Sequence, residues 1–207
     1  MTAVSAAPRR SAREWLLTMP EVFSVGELAL VMGCPRTEAS QYLWRWRDKT
    51  MVRGLGGKSG IFINLVQNPS AATDSARWER ALLKAMPSSM IGGYEALAGS
   101  GLTTQVTHQR FVIVSNTDSA FEIDGAEVHR RPVPWMNRLV REGAVIADAP
   151  GEAVPRLRPG AALADLARYG PSTPDADDID LESLEEDELV LLKRLAKGSG
   201  LLQELGL

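Results

Sequence analysis

The fold of this chain is decided by residues 24–49, SVGELALVMGCPRTEASQYLWRWRDK. Ser24 and Glu27 have the spacing of a capping box, in which a hydroxyl and a carboxylate satisfy the first free amides of a helix. Gly33 suits the end of that helix, because glycine tolerates the positive φ of a helix C-terminus. The stretch therefore predicts two helices joined by a tight turn, the second of them covering about residues 36–49.

The second of these helices separates apolar from polar side chains at about 100° per residue. We expect its apolar face to pack on Leu16, Leu28 and Val31. That face consists of Ala39, Tyr42, Leu43 and Trp46. The opposite face and its flanks are mainly polar and consist of Arg36, Thr37, Ser40, Gln41, Trp44, Arg45 and Arg47.

Two short β-like arms follow, residues 51–53 and 61–63, around the glycine-rich tip GLGGKSG at 54–60. A helix, a tight turn, a basic helix and a basic hairpin come in the order of a winged helix-turn-helix that reads DNA. The Gly-Lys-Ser ending also suggests a phosphate-binding loop, but the first glycine of that motif would fall at Val52. We therefore expect residues 1–67 to form a winged helix-turn-helix domain.

The expected DNA contacts are of two kinds. Arginine can bond guanine bidentately and glutamine can bond adenine, so the exposed face of the basic helix can read base edges. Arg53 and Lys58 on the hairpin would contact phosphate without reading sequence. A winged helix used only for protein contacts is the alternative. The candidate DNA-binding residues are Arg36, Thr37, Ser40, Gln41, Arg45, Arg47, Arg53 and Lys58.

Charge is distributed unevenly along the 207 residues. The formal net charge is −3, but residues 1–65 hold nine Lys and Arg against five Asp and Glu, whereas residues 175–207 hold three against ten. The excess of positive charge in residues 1–65 suits DNA binding, because phosphates that are neutralised by the protein release their counterions. The acidic tail could shield the basic face or dock on a basic partner, and a solvated linker with a helix face accounts for it equally well.

Cysteine content and hydropathy limit the class of protein. Cys34 is the only cysteine, which excludes an internal disulfide and a cysteine zinc site. The first ten residues lack the apolar core of a signal peptide, and no apolar run approaches the length that crosses a bilayer. We expect a cytoplasmic protein with no metal site and no membrane partner.

A linker at 68–73, NPSAAT, precedes a second domain that we expect over residues 74–170. The second domain mixes helix-like and strand-like segments, with a strand centred on 111–114 and a hairpin around the Asp-Gly pair at 124–125. A polar linker and an amphipathic helix fill residues 171–207. The fold class is α+β: a winged helix-turn-helix, a mixed α/β domain, and an acidic C-terminal helix.

The second region carries the pattern of a known family. IGGYEAL at 91–97 leads through GLTTQV at 101–106 into the strand RFVIV at 110–114, and HRRP follows at 129–132. Together with the preceding winged helix, this resembles the AbiEi antitoxins of type IV toxin–antitoxin systems over roughly residues 10–170.

The resemblance implies two roles. The first domain would bind operator DNA and repress its own operon, and the second would neutralise a cognate nucleotidyltransferase toxin without needing a stable complex. Within the same family, an alternative is an atypical serine protein kinase that phosphorylates the toxin.

Only the kinase alternative would require ATP and Mg²⁺; otherwise we expect no cofactor. Its catalytic residues are unknown, since the sequence has neither the His-Arg-Asp nor the Asp-Phe-Gly motif of protein kinases. A non-enzymatic protein-interaction module is a third hypothesis. The oligomeric state, monomer or homodimer, stays open.

Overall fold

The computed structural model describes residues 10–72, 74–105, 108–119, 121–147, 153–170 and 178–197. Over these residues the chain is mixed α+β, with eight α-helices and two β-sheets. The helices are α1 (Ala12–Thr18), α2 (Val25–Met32), α3 (Arg36–Asp48), α4 (Ser75–Ala85), α5 (Gly93–Ala98), α6 (Val133–Arg141), α7 (Pro159–Tyr169) and α8 (Glu186–Leu195). The strands are β1 (Val22–Ser24), β2 (Val52–Gly54), β3 (Ile61–Asn64), β4 (Met90–Ile91), β5 (Arg110–Ser115), β6 (Ala126–Arg131), β7 (Val145–Ile146) and β8 (Arg156–Leu157).

The ends of α2 follow from its capping residues, as predicted. The Ser24 hydroxyl accepts a hydrogen bond from the Glu27 amide at 3.2 Å, and the Glu27 carboxylate accepts one from the Ser24 amide at 2.6 Å. Gly33 ends the helix with φ 64°, in the left-handed region that a side chain disfavours. Pro35 occupies the position before α3, so no backbone donor is lost there.

The first sheet has the order β1-β3-β2, antiparallel throughout, and closes a small core with α1, α2 and α3. Ala39, Leu43 and Trp46 are buried on α3 as predicted. The expectation for Val31 is wrong, because its side chain is 46% exposed. Leu28 is buried as predicted, and Ala29 and the partly buried Met32 face the same core. We call residues 10–66 the head.

The second sheet has the order β6-β5-β4-β8-β7 and belongs to what we call the second unit, the described part of residues 74–197. Strand β5 pairs antiparallel with β4 and parallel with β6. Because side chains alternate along a strand, Phe111 and Ile113 face helices α5 to α8. Val112 and Val114 face α4 and the β2–β3 hairpin of the head.

The turn predicted at residues 124–125 forms, but over the described residues its hairpin is limited to a single antiparallel bridge. Gly125 has φ 81° as a tight turn requires, but only Ile123 and Ala126 bridge across it. Strand β6 then runs parallel to β5. The residues before the turn do not continue as a paired strand because Phe121 and Ile123 pack among the apolar side chains beneath α4.

The close packing of α5 against the second sheet requires glycine at position 93. A Cβ atom at this position would lie 2.5 Å from the Phe111 ring, well inside van der Waals contact. Its φ of 54° is a second reason for glycine. Gly93 of the IGGYEAL segment therefore allows α5 to begin directly against β5.

Helix α8 packs on α7 through Leu191, Leu192 and Leu195. The Glu188 carboxylate accepts hydrogen bonds from the Gly160 amide at 2.9 Å and from the Arg158 guanidinium at 2.7 Å. The remainder of the predicted C-terminal region, residues 171–177 and 198–207, and residues 1–9 lie outside the described residues. None of the helices described is both long enough and apolar enough to cross a membrane.

A buried ion pair joins β6 to α7. The Arg131 guanidinium donates to both carboxylate oxygens of Asp165, at 2.7 to 3.1 Å, and the Trp135 indole donates to the same carboxylate at 2.8 Å. The Arg131 and Asp165 side chains are 3% and 0% exposed. The Asp165 carboxylate thus compensates two buried donors, which makes the pair sensitive to the loss of either partner.

We predict that Asp165→Ala lowers the free energy of unfolding by about 3–5 kcal/mol, because it leaves the Arg131 charge and the Trp135 donor buried without this acceptor. Arg141→Ala is the matched control: it also removes one member of an arginine–carboxylate pair, but at a side chain that is 72% exposed, and should cost less than about 1 kcal/mol. Urea unfolding of the full chain measures both. A loss below about 1 kcal/mol for Asp165→Ala would contradict a stabilising role for the pair.

Candidate nucleic-acid interface

All six candidate residues on α3 have exposed side chains: Arg36, Thr37, Ser40, Gln41, Arg45 and Arg47. Trp44 lies among them and is 61% exposed, although large aromatic side chains are usually covered. The Arg47 guanidinium lies 3.9 Å from the centroid of the Trp44 ring. This stacking holds a positive charge against a flat apolar surface on the outer face of the helix.

A cleft of about 650 Å³ lies between α3 and the β2–β3 hairpin. The apolar part of its lining consists of Val25, Trp44, Val52, Phe62 and Leu65. Three cations line it as well, Arg47 from α3, Arg53 from β2 and Lys58 from the hairpin loop. The structure thus brings four predicted residues, Ser40 and these three cations, to one concave surface.

Arg45 points to a different groove. Its guanidinium lies 5.1 Å from the Tyr42 ring centroid, and both residues line a groove that also contains Trp15 of α1 and Met32 of α2. Arg45 and Arg47 therefore flank α3 on opposite sides. Thr37 and Gln41 are spaced one helical turn apart on the exposed face.

The loop between β2 and β3, residues 55–60, has a defined conformation. Lys58 has φ 64° and Gly60 has φ 65°, and both values lie in the left-handed region. The Ser59 hydroxyl donates to the Gly56 carbonyl at 3.1 Å and accepts from the Ile61 amide at 3.3 Å. A strand follows this loop, so the structure agrees with a hairpin tip and not with a phosphate-binding loop, which a helix would follow.

The same loop packs against the second unit, a contact that the sequence did not predict. The Leu55 side chain is 1% exposed, and the Leu55 carbonyl accepts a hydrogen bond from the Asp124 amide at 3.1 Å. The Trp78 indole donates to the Asp124 carbonyl at 3.2 Å. Asp124 also lines the cleft, so a residue of the second unit lies among the cations of the head. The Asp-Gly turn was visible in the sequence, but its distant partner in the hairpin loop had no local signal.

Ion pairs also join the head to α4. Glu21 accepts hydrogen bonds from Arg77 at 2.8 Å and Arg80 at 3.2 Å, and Glu27 accepts one from Lys84 at 2.7 Å. The hydrogen bond from Arg77 is the main cause that lowers the pKa of Glu21. Burial raises the pKa of Glu27, but hydrogen bonds from Lys84 and Ser24 together outweigh it, so this pKa is also lowered.

The chain matches no protein-family model and no curated protein. Among solved structures, it is similar to the crystal structure of the Rv2827c protein from Mycobacterium tuberculosis. The two chains share 18% sequence identity with a TM-score of 0.54, over 89% of this chain and 69% of that chain. At this identity the similarity concerns the fold alone. Because it covers 89% of this chain, the similar region includes residues of both the head and the second unit.

We predict that the stability contributed by Glu21 and Glu27 is complete above their ordinary pKa of 4.5 and is lost as the pH falls through their lowered folded-state values. The double variant Glu21→Gln/Glu27→Gln should therefore be less stable than the wild type at pH 7, and the difference should shrink below pH 4.5. Urea unfolding at several pH values measures it, with the exposed Glu182→Gln as control. A difference that does not change with pH would contradict the assignment.

Proposed function

We propose that the head is a winged helix-turn-helix that binds operator DNA of the chain's own operon. Helix α3 is the recognition helix, and the β2–β3 loop is the wing. The observation that carries this proposal is the exposed face of α3 beside a cleft lined by Arg47, Arg53 and Lys58. Base edges and phosphates require these two kinds of surface.

The division of labour follows from position on α3. Side chains near the N-terminus of a recognition helix reach base edges in the major groove. Thr37 and Gln41 occupy that part of the exposed face, and Gln41 can bond adenine through two hydrogen bonds. Arg47, Arg53 and Lys58 suit the phosphates that pass between the helix and the wing, because a cationic side chain there needs only charge and reach.

The second unit is proposed to neutralise a cognate nucleotidyltransferase toxin. The segments that resemble the AbiEi antitoxins are in direct contact: the Gly92 amide donates to the Phe111 carbonyl at 3.0 Å. The Glu95 carboxylate accepts from the Phe111 amide at 2.9 Å and from the Arg110 guanidinium at 2.7 Å. Two segments of the family-like pattern, residues 91–97 and 110–114, are therefore held together by direct hydrogen bonds, and this contact supports the proposal.

We predict that Gln41→Ala and Lys58→Ala weaken DNA binding in different ways. Gln41→Ala should cost about 1–3 kcal/mol on the promoter of the operon and much less on random DNA, because it removes a base contact. Lys58→Ala should weaken binding to both DNAs equally and reduce the salt slope by about one. Titration of the full chain with both duplexes at several salt concentrations measures these effects.

Glu182→Gln serves as the control, since it changes an exposed side chain of the second unit. If the wild-type chain binds the promoter no better than random DNA at moderate salt, the repressor proposal fails. Equal losses on both DNAs for Gln41→Ala would instead remove Gln41 from base recognition.

We also predict that a nucleotidyltransferase toxin is encoded beside this chain, that the full chain rescues cells from it, and that Lys58→Ala rescues them equally well. Neutralisation is assigned to the second unit, so a change on the wing should not affect it. Growth after induction of the toxin measures rescue. Loss of rescue with Lys58→Ala would place antitoxicity in the head, and absence of rescue by the wild type would contradict the antitoxin proposal.

A further inference from the structure

The β2–β3 loop, which carries Lys58, contacts the second unit as well as the first sheet. Its first residue, Leu55, is buried together with Ile63 of the head and Leu82, Val112 and Ile123 of the second unit. The apolar cluster that holds the loop therefore belongs mostly to the second unit. A wing anchored only in its own domain would bury such a residue against its own helices.

Backbone contacts fix the loop more tightly than apolar packing alone. A Cβ atom built on Gly56 would lie 2.0 Å from the Glu122 carbonyl oxygen and 2.9 Å from the Ile123 Cα atom. Both of these atoms are backbone, so they cannot move aside as a flexible side chain would. The Asp124 amide donates to Leu55 beside this contact, and the turn at residues 122–125 thus lies directly against the loop.

The turn itself is held in place from its other side. The Trp78 indole of α4 donates to the Asp124 carbonyl, and the Arg110 amide at the start of β5 donates to the Gly125 carbonyl at 2.9 Å. Strand β5 lies inside the second sheet, between β4 and β6. The position of Lys58 is thereby connected to a central strand of the second unit by a short chain of direct contacts.

We propose that the Glu122–Gly125 turn of the second unit is a positioning element for DNA binding. By contacting the β2–β3 loop, the turn fixes the position from which Arg53 and Lys58 contact phosphate. This inference rests on the proposed DNA-binding function and adds to it that the DNA-contacting surface is completed by the second unit. Preorganisation is the physical reason: a wing already fixed loses little conformational entropy on binding. Contacts made by a loose wing would be weaker at the same charge.

Two neighbouring glycines provide a matched pair of variants. Gly56→Ala inserts a methyl group into the backbone of the turn, so the loop and the turn must separate. Gly57→Ala adds the same methyl group one residue later, where nothing lies within 4 Å of the new atom. Neither glycine has a positive φ, so the variants differ in contact and not in backbone strain.

We expect Gly56→Ala to weaken binding of the full chain to promoter and random DNA by the same factor, about tenfold at about 0.1 M salt, and to reduce the salt slope by about one or two. Gly57→Ala lies on the wing as well but meets no other atom, so it should cost clearly less affinity for either DNA than Gly56→Ala does. A positioning role also predicts non-additivity, which a general loss of stability would not produce. Lys58→Ala should cost little further affinity in the Gly56→Ala background and its full effect in the Gly57→Ala background.

Trp78→Phe gives a second test on the other side of the turn, since it removes the donor to the Asp124 carbonyl and keeps a smaller aromatic ring in the apolar cluster. It decides the question if Gly56→Ala does not fold. Promoter binding with an unchanged affinity and salt slope in the folded variant would overturn the inference and leave the proposed function standing. Failure of the wild-type chain to bind DNA would overturn both.

Discussion

Burial of Leu55 beneath α4 and the second sheet is the contact on which the arrangement of the whole molecule depends. The Leu55 side chain does not pack in the small core of the head but in the cluster that contains Leu82, Val112 and Ile123. Burying a leucine is worth about 1.5–3 kcal/mol, and the Asp124 hydrogen bond lies beside it. The ion pairs of Glu21 and Glu27 with α4 also join the head to the second unit. The two parts are therefore held together by apolar, hydrogen-bonded and ionic contacts at once.

Because the head and the second unit are in contact at Leu55, residues of both parts line the cleft beside α3. The helix supplies Ser40, Trp44 and Arg47, the hairpin supplies Arg53 and Lys58, and the second unit supplies Asp124. Asp124 adds a negative charge to a lining that also contains Arg47, Arg53 and Lys58, and this lowers the positive potential of the cleft. If α3 binds nucleic acid as proposed, both parts of the chain set the affinity, even though only the head has the charge excess that suggests DNA.

Local signals in the sequence predicted the ends of α2 and the buried residues of α3. The Ser24–Glu27 capping box and the left-handed Gly33 depend on residues close to one another in the chain, as does the apolar face of α3, and the structure confirms each prediction. Val31 was assigned wrongly because two phases of a short apolar helix fit the pattern equally well. The exposed candidates on α3 follow from its phase, but the separation of Arg45 from Arg47 required the positions of α1 and the hairpin.

Contacts between distant segments could not be predicted. The Asp-Gly pair at 124–125 indicated a turn, which forms, but Phe121 and Ile123 before it pack in the cluster beneath α4, and the predicted hairpin is limited to one bridge. The buried pair of Arg131 and Asp165 had no signal either, because a single aspartate in an alanine-rich helix is usually solvated. The linker expected at 68–73 suggested separate domains, whereas Ile61 and Ile63 before it share an apolar cluster with Leu82 and Ile91 after it.

We expect the head and the second unit to unfold as one cooperative structure, because they share this apolar cluster. Native-state hydrogen exchange of the full chain tests it at two amides on either side, those of Leu55, bonded to Ile61, and of Ile91, bonded to Pro155. Cooperativity predicts that both amides exchange only through global unfolding and report the same free energy of opening. Exchange of the Leu55 amide at a clearly lower free energy, with Ile91 still protected, would contradict the claim, because the head would then open independently of the second unit.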